Sequence, residues 1–299
     1  MSDSAIARDN AQFGSFRSCA ATHAGTANRL NEDAYVNRPD LGLWAVADGA
    51  GGHESGEIAS AEVASLLQTI DPGLPAGEML VEVRSRLEAA HARLHTEASR
   101  HGAGAMVATT VVVLLARDDH FACLWAGDSR AYLLRGQALT KITRDHSLVQ
   151  VLVENGTLSE EDAARHPQAN VITRAVGADI DLLELDKRTG QLMAGDRLLL
   201  CSDGLSKTLP EGLLAELLSG DDETAAERLV TAALMAQVTD NVTAVIVDVG
   251  AADRSTALQA RGADAAALPI SPAAQANPSA DEHLGTAQDD GATVGGHIS

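Results

Sequence analysis

The sequence predicts an α+β protein in which mainly antiparallel sheets are covered by helices. Strand-like runs follow one another in hairpin order, while amphipathic helices come in pairs, so the strict alternation of a parallel α/β fold is missing. Of the 299 residues, 45% are hydrophobic, which is enough for a packed core. No solenoid-type repeat is present in the sequence.

The first half of the chain contains three predicted strands followed by two helices. Apolar runs predict strands over 16–21, 34–37 and 42–47, the last closed by the turn-forming sequence DGAGG. Apolar residues spaced by three and four predict helices over 59–70 and 78–95.

The second half returns to strands. The pair Arg-Gly at 135–136 suits a hairpin. Strands are predicted over 107–116, 120–126, 130–134, 138–142, 182–189, 197–202 and 243–249. Helices are predicted over 211–219 and 223–237, and a polar, partly helical stretch over 146–168.

Composition divides the chain into three parts. Residues 1–11 are predicted to be a flexible N-terminus and 12–250 a single folded domain. Beyond residue 250 the sequence is rich in Ala, Gly, Asp, Pro and Ser, with six acidic residues against two arginines. We therefore predict a disordered acidic tail over 251–299.

Charge and cysteine usage limit the partners and the compartment. With 22 Lys+Arg and 42 Asp+Glu the net charge is −20, which argues against nucleic acid or an anionic membrane as main partner. Cys19, Cys123 and Cys201 lie in or beside apolar runs and are predicted to be buried and reduced. Without a signal-peptide pattern or an apolar run of about 18 residues, a cytoplasmic, monomeric protein is the expectation.

Five aspartates stand where apolar strands begin or end, several beside a glycine. They are Asp33, Asp48, Asp128, Asp203 and Asp240. A carboxylate at the end of a buried strand is held rigidly, and an adjacent glycine lets an ion or another backbone approach. Taken singly, each aspartate could equally be a turn or cap residue. If the five converge, their repulsion favours a hard divalent ion such as Mg²⁺ or Mn²⁺.

Eight motifs, in order, resemble the metal-dependent protein phosphatases of the 2C type, in their bacterial form. The motifs are NEDA (31–34), VADGAGGHESGEIAS (46–60), TT (109–110), AGDSRAY (126–132), RDHS (144–147), RAVG (174–177), LLLCSDGL (198–205) and DNVTAV (240–245). The resemblance implies a central sandwich of two antiparallel β-sheets flanked by α-helices, in α-β-β-α layers.

The resemblance also implies two Mn²⁺ or Mg²⁺ ions and their ligands. Asp48 would bridge the two ions. The Gly49 carbonyl and Asp33 would serve one ion, partly through water. Asp203 and Asp240 would serve the other.

The resemblance further implies a third ion and an outer-shell residue. Asp128 would help to hold a weaker third ion shared with Asp203, and Glu32 is a candidate for the outer shell. The implied reaction is hydrolysis of phosphoserine and phosphothreonine in proteins by a hydroxide bridging two metals about 3.5–4 Å apart. No protein nucleophile is needed, so the cysteines are expected to be bystanders.

The residues expected to meet the substrate phosphate depart from the family pattern. The family usually has an arginine five residues before the Asp of NEDA, where this chain has Asn28 followed by Arg29. Either Arg29 takes over the phosphate contact or the contact is weakened, because an amide cannot clamp a phosphate as a guanidinium does. His53 is a candidate proton donor to the leaving group, with a packed turn histidine as the alternative.

Other motif residues are expected to be structural. Thr109 and Thr110 are predicted to hydrogen-bond the backbone of the metal site, Arg130 to pair with a carboxylate, and His146 to have a structural role. The segment 146–170 resembles the family's flap, a surface element that selects substrates.

The leading function is therefore a serine/threonine phosphoprotein phosphatase opposing a bacterial Ser/Thr kinase. One alternative is a phosphatase of an anti-sigma-factor antagonist, and control of a secretion apparatus through its kinase is another role seen in the family. The alternative from a different class is a weakly active or inactive module that binds phosphoproteins. Asn28 is its only support, and the retained aspartates weigh against it.

Overall fold

The computed structural model describes residues 6–13, 15–27, 30–50, 55–102, 105–163, 165–178, 182–220 and 223–250. All of these lie within one compact unit, Met1–Asp253. The predicted tail 251–299, like the first five residues of the predicted flexible N-terminus, lies outside the described residues. No described helix is long and apolar enough to cross a membrane.

Twelve strands and seven helices make up the described part. In chain order they are β1 (Ala7–Phe13), β2 (Phe16–His23), β3 (Asp33–Arg38), β4 (Leu43–Ala50), α1 (Ser55–Gln68), α2 (Ala76–His101), β5 (Ala108–Thr109), β6 (Val111–Arg117), β7 (His120–Ala126), β8 (Arg130–Arg135), β9 (Ala138–Lys141), α3 (Leu148–Glu154), α4 (Glu160–Ala163), β10 (Asp186–Gln191), β11 (Arg197–Cys201), α5 (Asp203–Ser206), α6 (Glu211–Leu218), α7 (Ala225–Met235) and β12 (Val242–Val249).

The strands form two six-stranded groups in which every pairing is antiparallel. One sheet has the order β1-β2-β12-β11-β8-β9. The other has the order β10-β7-β6-β4-β3, with β5 paired to β4 at its end. The predicted α+β class with antiparallel sheets is confirmed.

Three apolar clusters give the protein its layers. Along β6, Val111 and Val113 belong to the cluster that α1 and α2 share with their sheet, whereas Val112 and Leu114 belong to the cluster between the two sheets. A third cluster packs α6 and α7 against the other sheet. Because both faces of β6 are covered, its sequence VVVLLAR is apolar nearly throughout instead of alternating. This is the expected α-β-β-α sandwich.

Several strand boundaries differ from the sequence prediction, including the strand predicted over 182–189, which is observed at Asp186–Gln191. Two of the differences have a structural reason. The domain was expected to start at residue 12, but β1 begins at Ala7 and pairs with β2 along its whole length. Its sequence ARDNAQF lacks apolar alternation because β1 is an edge strand. The predicted strand 107–116 is divided into β5 and β6 at Thr110, whose amide donates to the carbonyl of Asp48 at 2.8 Å.

The three cysteines are all buried thiols, as predicted. Cys19 and Cys201 lie in the helix-side cluster of their sheet, and Cys123 lies between the sheets.

Candidate metal centre

The five aspartates are placed by neighbouring strand ends of both sheets. Asp33 and Asp48 are paired residues on β3 and β4. Asp203 opens α5 directly after β11, and Asp240 lies two residues before β12, which is the neighbour of β11. Asp128 lies in the connection between β7 and β8.

Asp33 joins the two sheets at this end of the sandwich. Its Oδ2 accepts hydrogen bonds from Ser202 Oγ at 2.8 Å and from Thr243 Oγ1 at 2.7 Å, both on the opposite sheet. Its Oδ1 is buried and has no hydrogen-bond partner among the described residues. A buried carboxylate oxygen left without a partner is costly, and a cation would satisfy it.

The backbone around Asp48 is fixed by two threonines. The Asp48 carbonyl accepts from the Thr110 amide and, at 2.9 Å, from Thr109 Oγ1. The Asp48 amide in turn donates to Thr110 Oγ1 at 3.3 Å, and Thr110 Oγ1 lies 2.7 Å from Ser129 Oγ. The predicted role of this threonine pair is thus borne out.

Close backbone packing follows Asp48. A Cβ on Gly49 would lie 2.2 Å from the carbonyl oxygen of Gly56 in α1, so only glycine fits where these two backbone segments meet. A Cβ on Gly56 would in turn lie 2.8 Å from the carboxyl carbon of Glu32. The Glu32 carbonyl accepts from the Gly49 amide at 3.1 Å. Glu32 therefore lies beside the backbone of the predicted carbonyl ligand.

The charges that act on Asp48 indicate that the other four aspartates lie near it. Burial raises the pKa of Asp48 well above its usual range, and Asp33, Asp203, Asp128 and Asp240 raise it further through their negative charge. Burial likewise raises the pKa of Asp33 to about 7, against the opposing effect of its hydroxyl hydrogen bonds. Five acidic groups held this close favour either protonation or a bound cation.

The cluster is suited to hard cations but is not a closed side-chain cage. Within the described ranges, no three His, Cys, Asp or Glu side chains are arranged to hold an ion by themselves. The donors are carboxylate oxygens next to a glycine backbone, which is the oxygen chemistry that Mg²⁺ and Mn²⁺ prefer, usually completed by water. The unpartnered Oδ1 of Asp33 is the clearest sign that the residues fit such an ion.

Besides Ser202 and Thr243, two further residues of the site were not singled out in the sequence. Lys207 donates to Asp128 Oδ2 at 2.9 Å and to Asp203 Oδ2 at 2.6 Å. Asn241 accepts from the Glu32 amide at 2.8 Å, and its Nδ2 donates to the carbonyls of Ala24 and Leu30 at 3.1 Å each. Asn241 thus fastens the connection that leads into β3. The spacing of four between Asp203 and Lys207 is the one local signal that could have indicated the first contact.

Arg130 and His146 are structural, as expected. Arg130 forms a bidentate ion pair with Asp145, at 3.0 Å from Nε and 2.6 Å from Nη2. The Nδ1 of His146 accepts from the Gly127 amide at 3.2 Å, and its ring stacks on Trp125. Asn28, Arg29 and His53 lie outside the described residues.

The family profile described as Protein phosphatase 2C matches residues 21–246, which is nearly the whole described region. The chain belongs to the protein phosphatase 2C family. It is 37% identical over 238 residues to the serine/threonine protein phosphatase PstP of Mycobacterium tuberculosis, covering 78% of this chain and 45% of PstP. It is 31% identical over 236 residues to the serine/threonine phosphatase stp of Listeria monocytogenes, covering 76% of this chain and 93% of that protein.

Solved structures agree with the fold, and one of them contains manganese. PppA, described as a key regulatory component of T6SS in Pseudomonas aeruginosa, is 38% identical with a TM-score of 0.73, covering 80% of this chain and 99% of that chain. The PstP catalytic domain in complex with 2 manganese ions is 33% identical with a TM-score of 0.70, covering 79% and 99%. The predicted family and its fold are confirmed, and the manganese ions bound by the PstP catalytic domain agree with the expected cofactor.

The Asn28 position leads to a prediction about substrate affinity. We expect Asn28→Arg to lower KM for a phosphopeptide about tenfold, because one charge-assisted contact to phosphate contributes about 1.5 kcal/mol or more. Steady-state kinetics at saturating Mn²⁺ measures this. If Asn28→Arg leaves KM unchanged while Arg29→Ala raises it and Asn28→Ala does not, Arg29 makes the phosphate contact instead.

Proposed function

We propose that this protein hydrolyses phosphoserine and phosphothreonine in phosphorylated proteins, at a centre formed by Asp33, Asp48, the Gly49 carbonyl, Asp203 and Asp240. The observation that carries the proposal is the convergence of these carboxylates from both sheets, with the buried Oδ1 of Asp33 left unpartnered. A phosphoprotein-binding module would gain nothing from charges that repel one another.

The ions would supply the nucleophile. When bound, two divalent ions lower the pKa of a water molecule and offset charge on the phosphoryl group. Ser202 and Thr243 hold Oδ2 of Asp33, which leaves Oδ1 as the free ligand atom. Thr109 and Thr110 fix the peptide units around Asp48, so that its carboxylate is positioned without rearrangement.

A cysteine nucleophile is disfavoured by burial. Burial raises the pKa of Cys201 to about 12 and raises that of Cys123 as well. Both thiols therefore stay protonated near neutral pH, and a thiol is a poor nucleophile in that form. We propose that leaving-group protonation falls to His53 and that phosphate binding falls to Asn28 or Arg29.

Among biological roles, we propose that the protein opposes a Ser/Thr kinase of the same cell and acts as a cytoplasmic monomer. The three buried thiols support a reducing compartment. The similarity to PppA favours regulation of a secretion system over the anti-sigma-factor alternative. The test compares two substrates: the autophosphorylated Ser/Thr kinase from the same genome and a phosphorylated anti-sigma-factor antagonist. Faster dephosphorylation of the kinase would support the proposed role, and faster dephosphorylation of the antagonist would support the alternative.

Metal removal tests the proposed reaction. We expect phosphothreonine peptide hydrolysis in Mn²⁺ to fall to background in excess EDTA and to return when Mn²⁺ is added back, because the proposed nucleophile is a water molecule activated by the ions. Released phosphate is the readout, and a phosphotyrosine peptide is the comparison substrate. Turnover that continues in EDTA would contradict the proposed mechanism.

A further inference from the structure

At the edge of the aspartate cluster, all three N–H donors of the Lys207 ammonium group have hydrogen-bond acceptors. Nζ lies 2.6 Å from Asp203 Oδ2, 2.9 Å from Asp128 Oδ2 and 2.9 Å from Asn170 Oδ1. A lysine ammonium has three N–H groups, so this arrangement uses each of them once. Lys207 thus occupies the space between Asp128 and Asp203 with a positive charge.

Two carboxylates place negative charge around Lys207. Asp128 is 4% exposed, and its Oδ2 lies 2.9 Å from Nζ of Lys207. Asp203 Oδ2 lies 2.6 Å from the same nitrogen. Because Lys207 contacts both carboxylates, its removal would leave them without this compensating charge.

The contact also reaches the flap-like segment. Asn170 lies in the segment 146–170, and its side chain meets Nζ directly. Lys207 and Asn170 both line a cavity of about 530 Å³, whose walls also include Val153 of α3, Glu160 of α4 and Glu211 of α6. The ammonium thus joins the cluster to this segment, and the cavity beside it has room for a hydrated ion if the lysine is shortened.

We propose that Lys207 is the resident cation between Asp128 and Asp203, so that this chain binds two divalent ions and excludes a third from that position. A third ion would have to displace an ammonium that holds three hydrogen bonds and would be repelled by its charge. The inference rests on the proposed function, since it presupposes a two-ion centre at the remaining aspartates. It also means that Asn170 is held by the protein itself, independently of the metal concentration.

Counting bound Mn²⁺ by isothermal titration and by equilibrium dialysis with elemental analysis tests the proposal in the full chain. We expect two ions per chain in the wild type and an additional, weaker ion in Lys207→Ala. Lys141→Ala is the matched control, because Lys141 lines the same cavity but lies 3.8 Å from Asp145, outside the cluster; it should bind two ions. In the double variant Lys207→Ala/Asp128→Ala the additional ion should be lost again.

Several outcomes would overturn the inference. One is a wild type that binds three ions and loses one in Asp128→Ala. Another is a folded Lys207→Ala that still binds only two ions. If Lys207→Ala does not fold, Lys207→Gln removes the charge at similar length and is expected to gain the third ion; a folded Lys207→Gln with only two ions would contradict the proposal. A wild type that binds no Mn²⁺ and hydrolyses no phosphopeptide would instead refute the proposed function.

Discussion

Asp48→Asn is expected to lower kcat for a phosphothreonine peptide by about 10³-fold or more while the protein stays folded. A single lost electrostatic contact at a reacting group costs about 10²–10³-fold in other enzymes, and Asp48 is expected to contact both ions. The amide keeps the shape of the side chain but removes the charge. Initial rates across a Mn²⁺ series, up to saturation, separate lost turnover from weakened metal binding.

The fold should survive this substitution because Asp48 repels its neighbours. Burial and four other aspartates disfavour its ionised form, so the neutral asparagine relieves strain in the metal-free protein. We therefore expect an unchanged or higher melting temperature without metal. Asp119→Asn is the control, since Asp119 is largely exposed and paired with His120 away from the cluster; its activity should match the wild type. Undiminished turnover in Asp48→Asn would refute the metal mechanism.

Strands could be predicted from the sequence where the residues of the strand itself carry the apolar pattern. The strand 120–126 was predicted with its observed bounds, since its apolar run is continuous and closed by a glycine turn. The edge strand β1 was not predicted, because only backbone pairing with β2 defines it. Periodicity reports burial, and a polar edge strand buries little.

The same distinction applies to the site. Spacing marked the five aspartates as strand-end residues, but only the resemblance to a family implied that they converge. The hydroxyls that hold Asp33, on Ser202 and Thr243, are 169 and 210 residues away in sequence. Nothing local in the sequence identifies them as partners. Lys207 was missed for a related reason: its second carboxylate, Asp128, comes from another part of the chain.

The acidity of the cluster has opposite effects with and without metal. Carboxylates that attract divalent ions also repel one another when no ion is bound. The hydrogen bonds to Asp33 and the ammonium of Lys207 compensate part of this repulsion permanently. The remaining charge is balanced by protons at low pH and by metal at neutral pH.

This balance predicts that Mn²⁺ stabilises the protein more at pH 7.5 than at pH 5. Burial raises the pKa of Asp33 to about 7 from 3.8, so between these values the folded chain holds more protons than the unfolded chain. Stability of the metal-free protein should therefore fall as pH rises through this range. From pH 5 to 7 one such group contributes about 2 kcal/mol, which corresponds to about 4–8 °C in melting temperature for a domain of this size.

The difference between wild type and Asp33→Asn isolates this effect, because other groups act in the opposite direction. Burial lowers the pKa of His146, so its contribution to stability increases as pH rises through its unfolded value. That contribution is common to both proteins and cancels in the comparison. We expect the metal-free wild type to lose melting temperature relative to Asp33→Asn between pH 5 and 7.5, and saturating Mn²⁺ to recover the loss only in the wild type. The opposite result would be a metal-free wild type that gains stability relative to Asp33→Asn over this range. It would show that Asp33 is already ionised and compensated without metal. The main electrostatic reason for an ion at this site would then be removed.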